Sequence, residues 1–537
     1  PLRIRELCAD RLDAIADDDR RGLVERWLAR IEQPLDAAAT FRRSVIHNDA
    51  NDHNLICGPM TDRGDGWRRS VVGLVDVGDA IEGPTAAECA VAMAYAMLDR
   101  DDPVAAAAEV AAGFHGRLEL EEAEIGALFG LAMGRLCLSV CNSAVQRAEE
   151  QDNAYLSVSE RAAWRVLEQL SGASDDLACY RLREACGLEP CPRAPAVREW
   201  LAAHKTSFVP LLASPPEGIP VFDLSVGSAE MGGGAPGDFD TGTLSARLFG
   251  ILRERGAEIG MGRYDEARCW YGGELFAGPG NDGPRRRTVH VGIDLFVPPG
   301  TPLRAPLPGR VQAAVWNRGQ LDYGPTLVLE HEPEPGLRFW TLWGHLDPEC
   351  LERLAPGDPV DGGATLAHVG DFPDNGNWPP HLHLQVLCDR LHFEGDFPGV
   401  VDPAQRELFK SLCPDPHLLL SDIPDSAAAL PRERTEPPPD GLHDRRRTVL
   451  GPSLSLSYRR PLHIVRGYRQ YLYAADGQPY LDAVNNVPHV GHAHPRVVAA
   501  AAAQDALLNT NTRYLHENLL EYAERLAACF PDPLSVV

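Results

Sequence analysis

Apolar and polar positions change rhythm twice along the chain. Up to about residue 205, apolar residues recur every three or four positions. Glu88–Leu98, Val104–Phe114, Ala123–Val145 and Ser159–Leu170 set an Ala/Leu-rich face against charge, which predicts amphipathic helices. Only Ser44–Ile46, Leu55–Cys57 and Val71–Val77 read as strands there. From about 245 to 420 the rhythm becomes short β-rich runs punctuated by Gly, Pro and Asp: Val289–Val297, Gly309–Val315, Thr326–His331, Phe339–Trp343 and His381–Leu387. The last block predicts strands around Tyr468–Leu481, with an Asp476-Gly477 turn, and helices over His494–Leu508 and Leu515–Phe530. Gly227–Gly242 (Gly/Pro/Asp-rich) and Asp422–Arg447 (charged, with Pro437-Pro438-Pro439) read as boundaries. The expected division is 1–205, a linker over 206–244, 245–425, a linker over 426–447, and 448–537. The expected fold is multidomain α+β: mainly α, then all-β, then α/β.

A chain of 537 residues exceeds what one core sustains. Its net charge of −26 makes nucleic acid and anionic membrane poor partners. No unbroken apolar run reaches ~18 residues, so no bilayer-crossing segment is predicted. Thirteen cysteines lie dispersed without CxxC pairs, which suits a reducing, cytoplasmic setting. Cys137 and Cys141, four apart on a helical pattern, are expected in the core. The chain starts at Pro1 in a charged helical pattern and stops in the apolar run Leu534–Val537. It reads as a piece of a longer polypeptide, with any targeting segment upstream.

The first chemical motif is His47-Asn48-Asp49-Ala50-Asn51-Asp52-His53-Asn54, followed by Leu74-Val75-Asp76. Phosphoryl transfer needs a group to take the hydroxyl proton and magnesium to neutralise the phosphates. Asp49 suits the base; Asn54 and Asp76 suit magnesium ligands. The plain alternative is a polar turn between two strands. The block resembles the C-terminal lobe of aminoglycoside-phosphotransferase-type kinases. It is most similar to the hydroxylysine kinases through Asn51–Asn54, Gly78-Asp79-Ala80 and Gly134-Arg135-Leu136-Cys137. The resemblance implies ATP and Mg2+, with the nucleotide-binding lobe missing, since no Gly-rich loop or strand lysine precedes His47. Gly232–Gly237 fits GxGxxG but carries a Pro and leads into no helix, so it reads as linker.

The second motif has three pieces: His290-Val291-Gly292-Ile293-Asp294, Trp343-Gly344-His345-Leu346 and His381-Leu382-His383. Catalytic zinc takes three protein ligands and keeps one position open. Positions four apart on a straight strand lie roughly 13 Å apart, so the chain must bend between His290 and Asp294, where Gly292 permits it. His381 and His383 share a strand face. His331 and His368 are expected as structural residues of turns or clusters. The stretch from His290 to Leu384 resembles the M23 (lysostaphin/LytM-like) zinc metallopeptidases. That resemblance implies His290, Asp294 and His383 as zinc ligands, with His381 and His345 as catalytic and auxiliary histidines in metal-assisted amide hydrolysis. A peptide substrate is expected, though a domain between cytosolic modules is unlike one that cuts peptidoglycan. A non-catalytic binding or scaffold module is the alternative.

In the last block, Tyr471–Leu481, Asn485-Asn486-Val487, Gly491–Arg496 and Leu507–Arg513 resemble the N-terminal part of class III pyridoxal-phosphate aminotransferases. The nearest likeness is to the ethanolamine-phosphate and phosphohydroxylysine phospho-lyases. His489, His492 and His494 read as a turn before a Pro-initiated helix rather than a metal site. The cofactor's lysine and phosphate loop would lie beyond Val537, so pyridoxal phosphate and homodimerisation are expected only of a full-length parent. Together the blocks suggest a kinase for an amino-alcohol or hydroxy-amino-acid hydroxyl, fused to a zinc peptidase and a phospho-lyase.

Overall fold

Helices form first where the sequence alternates Ala/Leu faces with charge. In the computed structural model they run Ile4–Ala9, Asp18–Arg30, Glu32–Ala38, Thr85–Ala96, Pro103–His115, Glu122–Glu149, Leu156–Gln169 and Asp175–Ala185. The structure describes residues 3–62, 67–149, 156–213, 219–228, 240–421, 423, 441–451, 453, 454, 456, 461–484, 489–534 and 536. The Gly232–Gly237 stretch, Pro437–Pro439 and Asn485–Val487 lie outside them. Start signals are local: Asp17, Asp102 and Ser174 each accept a backbone N–H in the first turn of the helix they precede. Cys137 and Cys141 sit in the common core with Trp27, Met93 and Leu128.

Glu122–Glu149 is the axis of this bundle. Within Glu122–Arg147 an 18-residue window reaches a mean hydropathy of 1.5, so by length and composition alone this helix is long and apolar enough to cross a membrane. Of that window, 78% is buried inside the protein, so its apolar faces are already covered by neighbouring helices. Gly130 and Gly134 let Pro34 and Ile31 approach closely: a Cβ on Gly130 would lie 2.6 Å from Pro34.

The β region centres on an eight-stranded sheet. Its order is Pro359–Val360, Gly309–Asn317, Gly324–Glu334, Leu337–Gly344, Leu382–Leu387, Ile293–Phe296, Gly260–Gly262 and Val221–Phe222. All neighbours are antiparallel except the last pair. The Val289–Val297 run is two strands in two sheets. Val289–His290 pairs with Glu266–Ala267 and Val400–Val401, and Ile293–Phe296 joins the large sheet. His331 is a core residue of a strand, not a turn: its ring is satisfied by the Pro308 carbonyl (2.8 Å) and the Thr341 hydroxyl (2.9 Å).

Two expected boundaries shift. Within 206–244, Leu212 bridges Leu303 and Val221–Phe222 pairs with Met261–Gly262, so part of that stretch is sheet. Short apolar runs between turn residues read as linker, but pairing buries them. The helix Ala194–His204, expected with the first block, lays Trp200 against Phe339 of the sheet (ring centroids 5.9 Å). The helix Leu442–Val449 crosses the boundary expected at 447, at the end of the second linker.

The chain divides into one unit of 1–466 with 473–479, and a second of 467–472 with 480–537. In the second, Pro495 opens a helix ending at Asp505, and His492 bonds Asp482 at 2.7 Å. That is the turn and Pro-initiated helix read from the sequence.

Candidate metal centre and phosphoryl-transfer loop

Three strands deliver the metal-binding set. His290 ends one short strand, and Asp294 and His383 sit opposite each other in the large sheet. His290 Nε2 lies 3.0 Å from His383 Nδ1 and 3.1 Å from Asp294 Oδ1, and His383 Nδ1 lies 3.3 Å from that oxygen. One ligand atom from each falls within 4.8 Å of the others, and all three residues are buried. Gly292 matters here for room: a Cβ would stand 2.4 Å from His383 Cε1.

The remaining ring nitrogens are held by acceptors, which fixes the tautomers. His290 Nδ1 faces the Arg263 carbonyl at 3.1 Å, which leaves Nε2 with its lone pair toward the cluster. His383 Nε2 faces Gln385 Oε1 at 3.2 Å, while the Gln385 amide donates to the Pro398 carbonyl. That leaves Nδ1 for the cluster. His345 and His381 turn Nδ1 to the Asn375 and Pro379 carbonyls, at 2.8 and 2.7 Å. Their rings stand 4.3 Å apart, and His381 Nε2 is 3.6 Å from Asp294 Oδ1. His345 takes a left-handed backbone (φ 63°), unusual for a non-glycine residue.

Four residues of this centre were not anticipated. Arg268, wholly buried, donates to Asp294 Oδ2 (2.7 Å) and Glu266 Oε2 (2.9 Å), with the Tyr271 hydroxyl at 3.2 Å. It occupies one Asp294 oxygen and leaves Oδ1 for the cluster. Gln385 orients His383. Burial, with the Arg268 charge beside it, pushes His290 down to about 4, so its ring is neutral and able to ligate. Burial opposes the charge on Asp294, yet its carboxyl is held well below the usual range, with the permanently charged Arg268 guanidinium 2.7 Å away. Burial and the neighbouring His381 and His383 likewise lower His345. Neutral imidazoles and an ionised carboxylate within ligand reach are the donor set zinc takes.

The phosphoryl-transfer loop is arranged differently. Asn54 donates its amide to the Asp49 carbonyl (2.9 Å) and Oδ2 (3.1 Å), which turns its own oxygen away from Asp49. Asp49 Oδ1 accepts from the Tyr95 hydroxyl (3.0 Å) and Arg135 (2.9 Å). Neither partner had been given a role from the sequence. The Asp76 strand end is tied to the loop, since Val75 N–H donates to the Asn54 carbonyl and His47 bonds the Val75 carbonyl. The Asp76 carboxylate is exposed and forms no hydrogen bond or ion pair among the described residues.

Fold and site together mark the β region as a domain with a candidate metal-binding centre. Comparison with known families agrees: residues 288–393 match Peptidase family M23, and residues 2–124 match the Phosphotransferase enzyme family. The chain thus carries an M23 peptidase domain and a phosphotransferase region, and is partly similar to class III aminotransferases. An alanine–glyoxylate aminotransferase 2-like protein of Drosophila melanogaster is 50% identical over 88 residues, 16% of this chain and 18% of that protein. The mitochondrial alanine–glyoxylate aminotransferase 2 of Homo sapiens is 38% identical over 91 residues, with the same shares. The chain therefore spans less than a fifth of these relatives. Among solved structures, a zinc-containing peptidase from Vibrio cholerae is 28% identical over 19% of this chain and 28% of that one, with a TM-score of 0.16.

Proposed function

We propose that this chain is part of a multifunctional enzyme in which the M23 domain hydrolyses a peptide bond with zinc held by His290, Asp294 and His383. The observation that carries the reading is the convergence of those three buried side chains, each with its other polar atom held by a hydrogen bond. Bound zinc would supply Lewis acidity toward a carbonyl and an acidified water. The chain's own residues do the rest. Arg263 and Gln385 orient the ligand rings, and Arg268 keeps Asp294 ionised. His345 and His381, with Nδ1 occupied, present Nε2 to take or give a proton at the reacting amide.

The phosphotransferase region is read as an ATP- and magnesium-dependent kinase for the hydroxyl of an amino alcohol or hydroxy-amino acid. Asp49 takes the hydroxyl proton, and Asn54 and Asp76 hold the metal. The aminotransferase-like part is read as the front of a pyridoxal-phosphate enzyme, a transaminase or phospho-lyase, complete and dimeric only in a longer parent. A cytoplasmic location fits all three chemistries. The second reading, a scaffold that keeps the M23 fold without cutting, is separated by experiment. The chain is loaded with zinc, its metal content is measured, and a broad peptide panel is assayed. Stoichiometric zinc with cleavage lost in His345→Ala and His381→Ala supports hydrolysis; stoichiometric zinc without cleavage supports the scaffold.

A further inference from the structure

Three consecutive arginines precede the metal-binding strand, and two are accounted for structurally. Arg285 pairs with Asp402 at 2.7 and 2.9 Å. Arg286 donates to the Gly272 and Gly273 carbonyls. The third, Arg287, lines a cavity of about 150 Å³ whose walls also include His290, Asp294 and His383. Its guanidinium is anchored by the Leu275 carbonyl and lies 5.5 Å from the centre of the Phe276 ring. Among the described residues no carboxylate comes within the 4.0 Å of an ion pair with it. The same cavity holds Asp322, whose carboxylate accepts from the backbone of the neighbouring Tyr323, at 2.8 Å, and of Gly319.

A half-buried cation that makes no ion pair keeps part of its burial cost, which a ligand carboxylate in direct contact would offset; Asp322 and Asp396, also in the cavity wall, act on Arg287 only at longer range. Burial accordingly pushes Arg287 down and Asp322 up. Much of the remaining wall is aromatic, with Trp270, Tyr271 and Trp378 among its residues.

Resting on the peptidase reading above, we infer that Arg287 binds a substrate carboxylate, so that the metal centre acts on short peptides or acylated amino acids whose released residue bears a free C-terminus. The reaction is hydrolysis: the amide C–N bond breaks, water gives its oxygen to the acyl carbon, and its two protons end on the new carboxylic acid and amine. The aromatic walls hold the side chain of that released residue, and Asp322 competes with the ligand for Arg287.

The test uses the full chain, zinc-loaded, with Gly-Gly-Phe and its C-terminal amide as probes, followed by calorimetry and tryptophan fluorescence. The free acid should bind at least tenfold tighter than the amide. Arg287→Gln should erase that preference at unchanged zinc content and thermal transition, Arg287→Lys should keep part of it, and Asp322→Asn should bind the acid as tightly as wild type or tighter. Equal binding of acid and amide overturns the inference. So does a preference that survives in Arg287→Gln, because the carboxylate is then on the zinc. If the preference and its loss are seen but neither probe is cut, Arg287's role stands and the peptidase reading falls. If both are cut with equal kcat/KM, hydrolysis stands and Arg287's role falls.

Discussion

The two candidate sites of the first unit are built on opposite plans. The metal centre lies inside a sheet, and hydrogen bonds to backbone or side-chain acceptors fix the ligand rings and their histidine neighbours. The phosphoryl-transfer loop lies at an open edge. Asp76 is solvent-exposed, as are Val45 (80%), Val72 (66%) and Val77 (69%) of the same region. A site made by strand pairing acquires its supporting shell as part of the fold, because the neighbouring strands are already in place. A site made at strand ends has only its own loop and the helices behind it, here Tyr95 and Arg135. Buried groups are thus coupled to stability, and exposed ones only to chemistry.

That contrast can be broken by substitution. His383→Ala should abolish stoichiometric zinc, read by metal analysis; retained zinc would remove the metal centre altogether. Arg268→Met should destabilise the β region by about 3–5 kcal/mol, because Asp294 and Glu266 are left as buried charges without their partner. Calorimetry would show this as a large fall in Tm, and an unchanged Tm would contradict the network.

Acid should act through His331, which burial pushes down to about 4. The unfolded ring binds a proton below about 6.5 while the folded one stays neutral. Its contribution is therefore full above pH 6.5 and lost as pH falls toward 4, up to about 3 kcal/mol. His331→Gln should make the stability-against-pH curve shallower in that window, the remaining slope coming from the other buried histidines. Gln385→Leu should weaken zinc binding about 10–100-fold with the fold intact, as removal of a ligand's orienting partner does; competition with a chelator measures it. Asp76→Asn should change stability by less than about 0.5 kcal/mol yet weaken magnesium binding at the loop, read by metal titration. A large stability loss there would erase the distinction between the two sites.

The sequence carried the ligand residues and hid their supports. His290, Asp294 and His383 were legible because metal chemistry limits which side chains can serve and the strand period limits where they point. The bend between His290 and Asp294 was legible from distance alone, but the reason for Gly292 was not: its missing Cβ leaves room for the His383 ring. Glu266 and Arg268 alternate with Ala267 and Cys269, a pattern that reads as a solvent face, yet both charges are buried against each other. Arg135 stood in a quoted motif without a role until the fold set it against Asp49.

By itself the sequence determined the helical and β-rich blocks, the Pro- and Asp-initiated helices, and the chemical identity of the donors, since these depend on residue type and short-range spacing. Tertiary structure alone decided which polar groups meet. It placed Arg268 on Asp294, took Val221–Phe222 out of the expected linker and into the sheet, and left Arg287 facing a cavity while its two neighbours found partners. Contacts between strands far apart in the chain have no local periodicity to announce them. They exist only once burial forces each polar group to find a partner or to wait for one.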